Sequence, residues 1–317
     1  MVMRRFVKFL VAGMSVVVLL CSCSVKKLAI QRISEALTGQ SSAVFTGEND
    51  PQLVGEALPF ALKMYESLLE VDSTNAKLLL TTGTAFCLYA YAYVQEPAQR
   101  LPDDRIDEQR KSYGRAAKLF LRARDYVLKG IEIRRPGFRS ILMKHSADSA
   151  LSMCTTTDTA YLYWAGMSWF GALSADNFNL GLMMTMPKAK ALISKTLELH
   201  EPYGNGAAHE FFISFYGNLP ASMGGSVQKA REHFGRAIEL AAGTRASPYV
   251  ALASSVCVKK QQKQEFKDLL HKALAVDVDK DPSNRLANIL SQGRAQWMLD
   301  NIDRYFLPPE PKEKEEE

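Results

Sequence analysis

The sequence predicts an all-α protein built as an array of helix pairs. Three observations carry that prediction. Between Ser24 and Leu307 no segment sustains the apolar–polar alternation of a strand, while apolar spacings of three and four residues run throughout. One pattern recurs five times: a small or aromatic residue followed by apolar or small residues at +4, +7, +8 and +10. Proline- and glycine-containing breaks separate the recurrences at Glu96-Pro97, Arg135-Pro136-Gly137, Pro202-Tyr203-Gly204, Pro220 to Gly225 and Asp281-Pro282.

The first copy is Ala61, Tyr65, Leu68, Leu69, Val71. Then follow Ala123, Val127, Gly130, Ile131, Ile133; Ala189, Ile193, Thr196, Leu197, Leu199; Ala230, Phe234, Ala237, Ile238, Leu240; and Phe266, Leu270, Ala273, Leu274, Val276. Offsets of four, seven and eight put one apolar stripe on one helix face. The pattern resembles the second helix of a tetratricopeptide repeat, and the last two copies start 36 residues apart, near the ~34 of that repeat. The resemblance implies a tetratricopeptide-like helical-repeat array with extra helices, since the earlier copies are spaced more widely. Partner helices are expected at Leu78 to Val94, Thr157 to Ala175, Gly206 to Tyr216 and Ser247 to Lys259. Ser226 suits an N-cap, and Ser283 to Tyr305 suits a C-terminal capping helix.

The chain begins with Arg4, Arg5 and Lys8, then an apolar run of 12 residues from Phe9 to Leu20, then Cys21-Ser22-Cys23. A basic start and a run too short for the ~20 residues of a membrane span read as a secretory signal over 1–22. Cys23, after the small Ser22, is the expected lipidated N-terminus of the mature chain, anchored to a membrane by its acyl chains. One domain is expected over 23–307, and residues 308–317, proline-rich and then highly charged, are expected to be a disordered acidic tail. The whole-chain charge is +5, and three of those positives lie in the signal. The remaining charges are interspersed, so no basic stripe offers a footing for nucleic acid. Cys87, Cys154 and Cys257 have small or apolar neighbours and read as core residues, a disulfide among them being the alternative.

Catalytic patterns are missing. His209-Glu210 invites a zinc-protease reading, but Ile213 stands where the second histidine belongs. No glycine-rich phosphate loop, Gly-x-Ser-x-Gly elbow or Cys-x-x-Cys occurs. His233 and His271 sit among charged neighbours and are expected at the surface. The chain is expected not to be an enzyme, with neither cofactor nor metal.

Two segments are unusually aromatic. Leu78 to Val94 carries Phe86, Tyr89, Tyr91 and Tyr93, and Tyr161 to Gly171 is apolar all round, with Trp164 and Trp169. A helix apolar on every side must be buried on every side. Nearby stand Asn177 and the methionines Met183, Met184 and Met186. Such residues either line a small-molecule cavity or form the core of the central helix pair.

From Tyr161 to Phe306 an ordered set of residues is similar to the T-component lipoproteins of tripartite ATP-independent periplasmic (TRAP) transporters. The carriers are Tyr163-Trp164 with Trp169, Pro187-Lys188, Tyr203-Gly204-Asn205-Gly206, His209-Glu210-Phe211-Phe212, Leu219-Pro220, Gly224-Gly225, Lys229-Ala230, His233-Phe234, Leu286-Ala287-Asn288 and Arg294-Ala295. The resemblance implies a periplasmic, membrane-anchored lipoprotein that forms a homotrimer and partners a solute-binding protein, the P-component. It also implies an internal cavity for a small hydrophobic or organic-acid ligand. The tunnel candidates are Tyr89, Tyr93, Tyr163, Trp164, Met167, Trp169, Asn177, His209, Tyr216 and Asn288. The alternative is a ligand-free scaffold lipoprotein in envelope assembly, its apolar residues packed solid.

Overall fold

A computed structural model of the chain describes residues 42–144 and 146–308, and among them every regular element is helical. The principal helices are α1 (Pro51–Val71), α2 (Ala76–Tyr89), α3 (Ile106–Arg134), α4 (Thr159–Ala175) and α5 (Met186–His200). They continue with α6 (Ala207–Asn218), α7 (Val227–Ala241), α8 (Ser247–Leu252), α9 (Lys263–Leu274) and α10 (Arg285–Asp300). The expected signal, Cys23 and residues 309–317 lie outside the described residues.

Short polar side chains start several of these helices. Asp50 accepts hydrogen bonds from the Gln52 and Leu53 amides, and Pro51 stands at the first helical position, where a missing N–H costs nothing. Asn75 caps α2 through the Leu78 amide, and Ser226 caps α7 through Lys229. The break expected at Glu96-Pro97 falls later. α2 runs on through a π turn, Ala90–Gln95, and a further turn, Glu96–Gln99. There the Glu96 amide bonds the Tyr91 carbonyl five residues back, so the ladder has already shifted where Pro97 withdraws its N–H. A second π turn, Ala253–Cys257, extends α8.

The stripes face the interior. Ala61, Tyr65 and Leu69 are buried on α1, Ala123, Val127 and Ile131 on α3, Ala189 and Ile193 on α5, and Phe266, Leu270 and Ala273 on α9. On α7 only the small residues Ala230, Ala237 and Ala241 are fully buried. Phe234 is half-buried, with its ring edge-on to Tyr249 at 5.7 Å. Helices pack as the pairs α2/α3, α4/α5, α6/α7 and α8/α9, and α3 also packs along α4. Glycines permit the closest crossings. A Cβ on Gly83 would overlap Val127 and meet the Ala123 carbonyl at 2.8 Å; one on Gly166 would overlap Ile193.

The last helix does more than cover α8 and α9. Arg294 donates to the Tyr91 hydroxyl at 2.8 Å and Arg285 to the Gly47 carbonyl at 2.9 Å, and in the turn that follows the helix Arg304 donates to Asp103 at 2.6 Å. The guanidinium groups of Arg100 and Arg304 both approach the Trp297 ring, at 5.8 and 5.5 Å. The end of the described chain thus closes onto its beginning. Cys87, Cys154 and Cys257 are buried free thiols. No helix among the described residues is long and apolar enough to cross a membrane.

Candidate functional site

The site grows from α4. Its sequence is apolar on every side, and the structure supplies neighbours on every side: α2, α3 and α5 by close helix contact, and α6 through rings. On the closely packed side Trp169 is fully enclosed. Its indole N–H donates to Thr185 Oγ1 at 2.8 Å, and the Arg124 guanidinium caps the ring at 4.8 Å. With its one polar group satisfied inside protein, Trp169 fills core and borders no opening.

The opposite side is an aromatic seam. Phe170 meets Phe211 and Phe215 of α6 edge-on, at 4.6 and 5.5 Å between centroids. Tyr163 packs against Trp164 at 5.2 Å and Tyr203 at 5.3 Å, and burial pushes its phenol pKa far up, so it stays neutral. Trp164 is half-buried and touches three separate clusters of buried residues, one around α3 and α5, one around α2 and α3, one around α6. Met167 joins the last two of these. Tyr89 packs into the α2–α3 cluster, stacked on Tyr93 at 5.9 Å.

The seam ends in a histidine pair. His209 Nδ1 lies 2.8 Å from His233 Nδ1, so one proton bridges them, and His209 Nε2 lies 3.1 Å from Glu201. Glu201 in turn accepts from Arg236 at 2.7 and 2.8 Å, which holds its carboxyl down at about 2. Burial, and then His209, push His233 down to about 4; burial also lowers His209. The surface position expected for His233 is therefore corrected. Its ring stacks on Phe212 at 4.9 Å and Tyr216 at 5.6 Å, which its charged sequence neighbours conceal, whereas His271 is exposed. Lys190 and Lys229 lie 5.5 and 5.4 Å from the Tyr216 ring.

The structure thus brings Tyr163, Trp164, Met167, His209 and Tyr216 into one continuous seam, with Tyr89 at its α2 edge. Tyr93 instead donates from its hydroxyl to the Pro51 carbonyl at 2.9 Å, and burial pushes its phenol up to about 12. Asn177 is exposed in the loop after α4. Asn288 is buried as a clasp, accepting from the Ala246 amide at 3.0 Å and donating to the Thr244 carbonyl at 2.8 Å. Sequence reasoning missed Phe211, Phe212, Phe215, Tyr203 and His233 as seam residues. The run Phe211-Phe212 with Phe215-Tyr216 was a usable signal, because those spacings return to one helix side.

Chemically, the seam offers rings, a methionine and a neutral imidazole pair. The thiols of Cys87, Cys154 and Cys257 are pushed up to about 12, 11 and 12, chiefly by burial, which suppresses the thiolate. No cluster of three or more metal-ligating side chains occurs among the described residues. A hollow of about 500 Å³ on the outer side of α3, bounded by Lys118, Arg122, Lys129 and Arg139, contains none of the sequence-predicted residues. Between α4 and α5, in and around the short helix Leu180–Met183, Phe178, Leu180 and Met184 are 92%, 79% and 82% exposed.

Comparison with known proteins gives two findings. The model of the family described as TRAP transporter T-component matches residues 47–306. A protein of Treponema pallidum (strain Nichols), described as an uncharacterized protein, is 33% identical over 306 residues, which cover 91% of this chain and 95% of the relative.

Proposed function

This chain belongs to the TRAP transporter T-component family, and from that premise we propose that it docks the system's solute-binding protein and holds or passes a small apolar or organic-acid ligand. Membership makes it an accessory component of a TRAP transport system. The rest of the reading is a tetratricopeptide-like lipoprotein, anchored through Cys23, working in the periplasm as a homotrimer.

The observation that carries the ligand role is the placement of Trp164. A tryptophan that touches three core clusters yet keeps accessible surface stands at a junction between packed blocks. Such junctions, walled by rings and methionine, suit small apolar ligands. Three large apolar side chains exposed within seven residues, Phe178, Leu180 and Met184, support docking, because exposed apolar surface of this kind is a mark of interaction sites. The enclosure of Trp169 favours a second reading, a solid scaffold that binds no ligand.

Two measurements test the function. The tagged lipoprotein is purified from its own envelope, and partners and small molecules are identified by mass spectrometry. A solute-binding protein in stoichiometric amount supports docking. Titration with an amphipathic ligand should then change tryptophan fluorescence and raise the melting temperature in proportion to ln(1 + [L]/Kd). Trp164→Ala should abolish both responses. A titration with no response in the wild type leaves the scaffold. Cys23→Ser should release the protein from the membrane fraction or leave its precursor uncleaved.

A further inference from the structure

Nine arginines are half-buried among the described residues, and eight of them hold a carboxylate within 4.0 Å. Arg236 sits on Glu201, Arg245 on Glu210, and Arg134 and Arg135 share Asp158. The pairing has a physical reason: a guanidinium charge withdrawn from water is costly unless a counter-charge and hydrogen bonds replace the lost hydration. Arg294 departs from it. Among the described residues no carboxylate lies within salt-bridge distance, and its side-chain hydrogen bond runs from Nη1 to the Tyr91 hydroxyl at 2.8 Å.

Arg294 stands among tyrosines of separate elements. It projects from α10 to the π turn that continues α2, where the two ends of the array meet. The phenols of Tyr113 and Tyr305 lie within its field. Glu96, whose charge also acts on Arg294, is held by Arg100 at 2.8 Å. Tyr91 is 42% exposed and Leu88, three residues before it, 41%. On the same helix Tyr89 packs into the cluster that holds Trp164 and Met167. The exposed apolar surface of Tyr91 and Leu88, one helical turn apart, therefore borders a guanidinium with no carboxylate partner among the described residues, flanked by hydroxyls able to donate.

We propose that Arg294, with the hydroxyl of Tyr91 beside it, is the site that binds the carboxylate of an amphipathic monocarboxylate ligand. The guanidinium fork matches a carboxylate with two parallel hydrogen bonds. The apolar part of the ligand lies against the exposed surface of Tyr91 and Leu88. The inference rests on the ligand-binding reading above and adds to it the residue and the charge of the ligand.

The test compares octanoate with octanol, the same chain without the charge, by calorimetry on the mature full-length protein. The wild type should bind octanoate about tenfold or more tightly than octanol, the effect of a charge-assisted hydrogen bond pair. Arg294→Gln should erase that preference and leave octanol binding unchanged, which also reports that the variant is folded. Arg294→Lys should keep part of it. Arg285→Gln loosens the same closure at Gly47 and should keep the preference in full; its loss there would make Arg294 a latch and overturn the site. Equal affinities in the wild type, or a preference that survives Arg294→Gln, overturn the site alone. Binding of neither probe overturns it together with the ligand-binding reading. Octanoate binding that emerges only when the chain is ended after Pro308 assigns the carboxylate to a glutamate of residues 310–317 and also overturns it.

Discussion

The two sides of α4 solve one problem in opposite ways. Toward α3 and α5 the contacts are close: Gly166 lets the Ala189 carbonyl and Ile193, which also borders the seam, approach where a methyl would overlap, and Trp169 is sealed in under Arg124 with its N–H satisfied by Thr185. Toward α6 the gap is filled by rings, with Phe170 against Phe211 and Phe215 and Tyr163 against Tyr203. Close backbone approach leaves no freedom, since interiors pack as densely as organic crystals. A joint made of rings depends on side chains, which change rotamer more easily than helices move. The difference teaches which contact of α4 depends on side chains alone: the seam with α6, more than the contact with α5.

The largest expected effect belongs to the sealed side. Trp169→Ala should destabilise by about 3–5 kcal/mol in chemical denaturation, the range for an enclosed aromatic removed without collapse. A loss under about 1 kcal/mol would show that this side is as yielding as the seam. Gly166→Ala should cost about 1–3 kcal/mol, because the added methyl must displace Ile193 and crowd a backbone carbonyl 3.2 Å away. Neutrality would mean the helices are free to part.

The seam should be the acid-sensitive side. His233 is held at about 4, below its ordinary 6.5, chiefly by burial. A lowered folded pKa means the unfolded chain takes up the proton first. Stability should therefore be full above about pH 6.5 and fall as pH drops toward 4. His233→Phe, which keeps a ring against Phe212 and Tyr216, should flatten that slope between pH 4 and 6.5. An unchanged slope would remove the histidine pair as its source. Glu201, held at about 2, adds a separate loss only between about pH 4.5 and 2. The smallest effect is the control. Gly114 on α3 has open space where a Cβ would stand, so Gly114→Ala should stabilise by about 0.5–1 kcal/mol through helix propensity and chain entropy. That gain, set against the loss at Gly166, isolates close approach as the reason glycine matters on the sealed side.

Much of the fold was legible because it is local. A stripe such as Ala123, Val127, Ile131 is written within three turns of chain, and all three residues are buried. Ser226 caps α7 as its spacing suggested. Partner helices were found where apolar content was dense, although the π turn carried the second half of α2 past Pro97. The site was less legible. Tyr163, Trp164 and Met167 were named for their helix, and they do share a seam. Trp169, equally conspicuous in sequence, belongs to the opposite side, since a helix apolar all round carries no mark of which side meets a tight neighbour. Asn288 was read as a ligand contact but serves as a clasp on backbone 42 and 44 residues away.

By itself the sequence determined the helices, their buried stripes and the residues from which a seam is made, because periodicity, caps and breaks act within a few residues of one another. Tertiary structure decided which side of α4 is sealed and which is ring-filled. It also paired His209 with His233 across 24 residues and brought Arg294 to Tyr91 across 203. Those pairings depend on how helices distant in sequence are stacked and closed, and the energy that fixes the stacking is a sum over packed contacts that no single segment encodes.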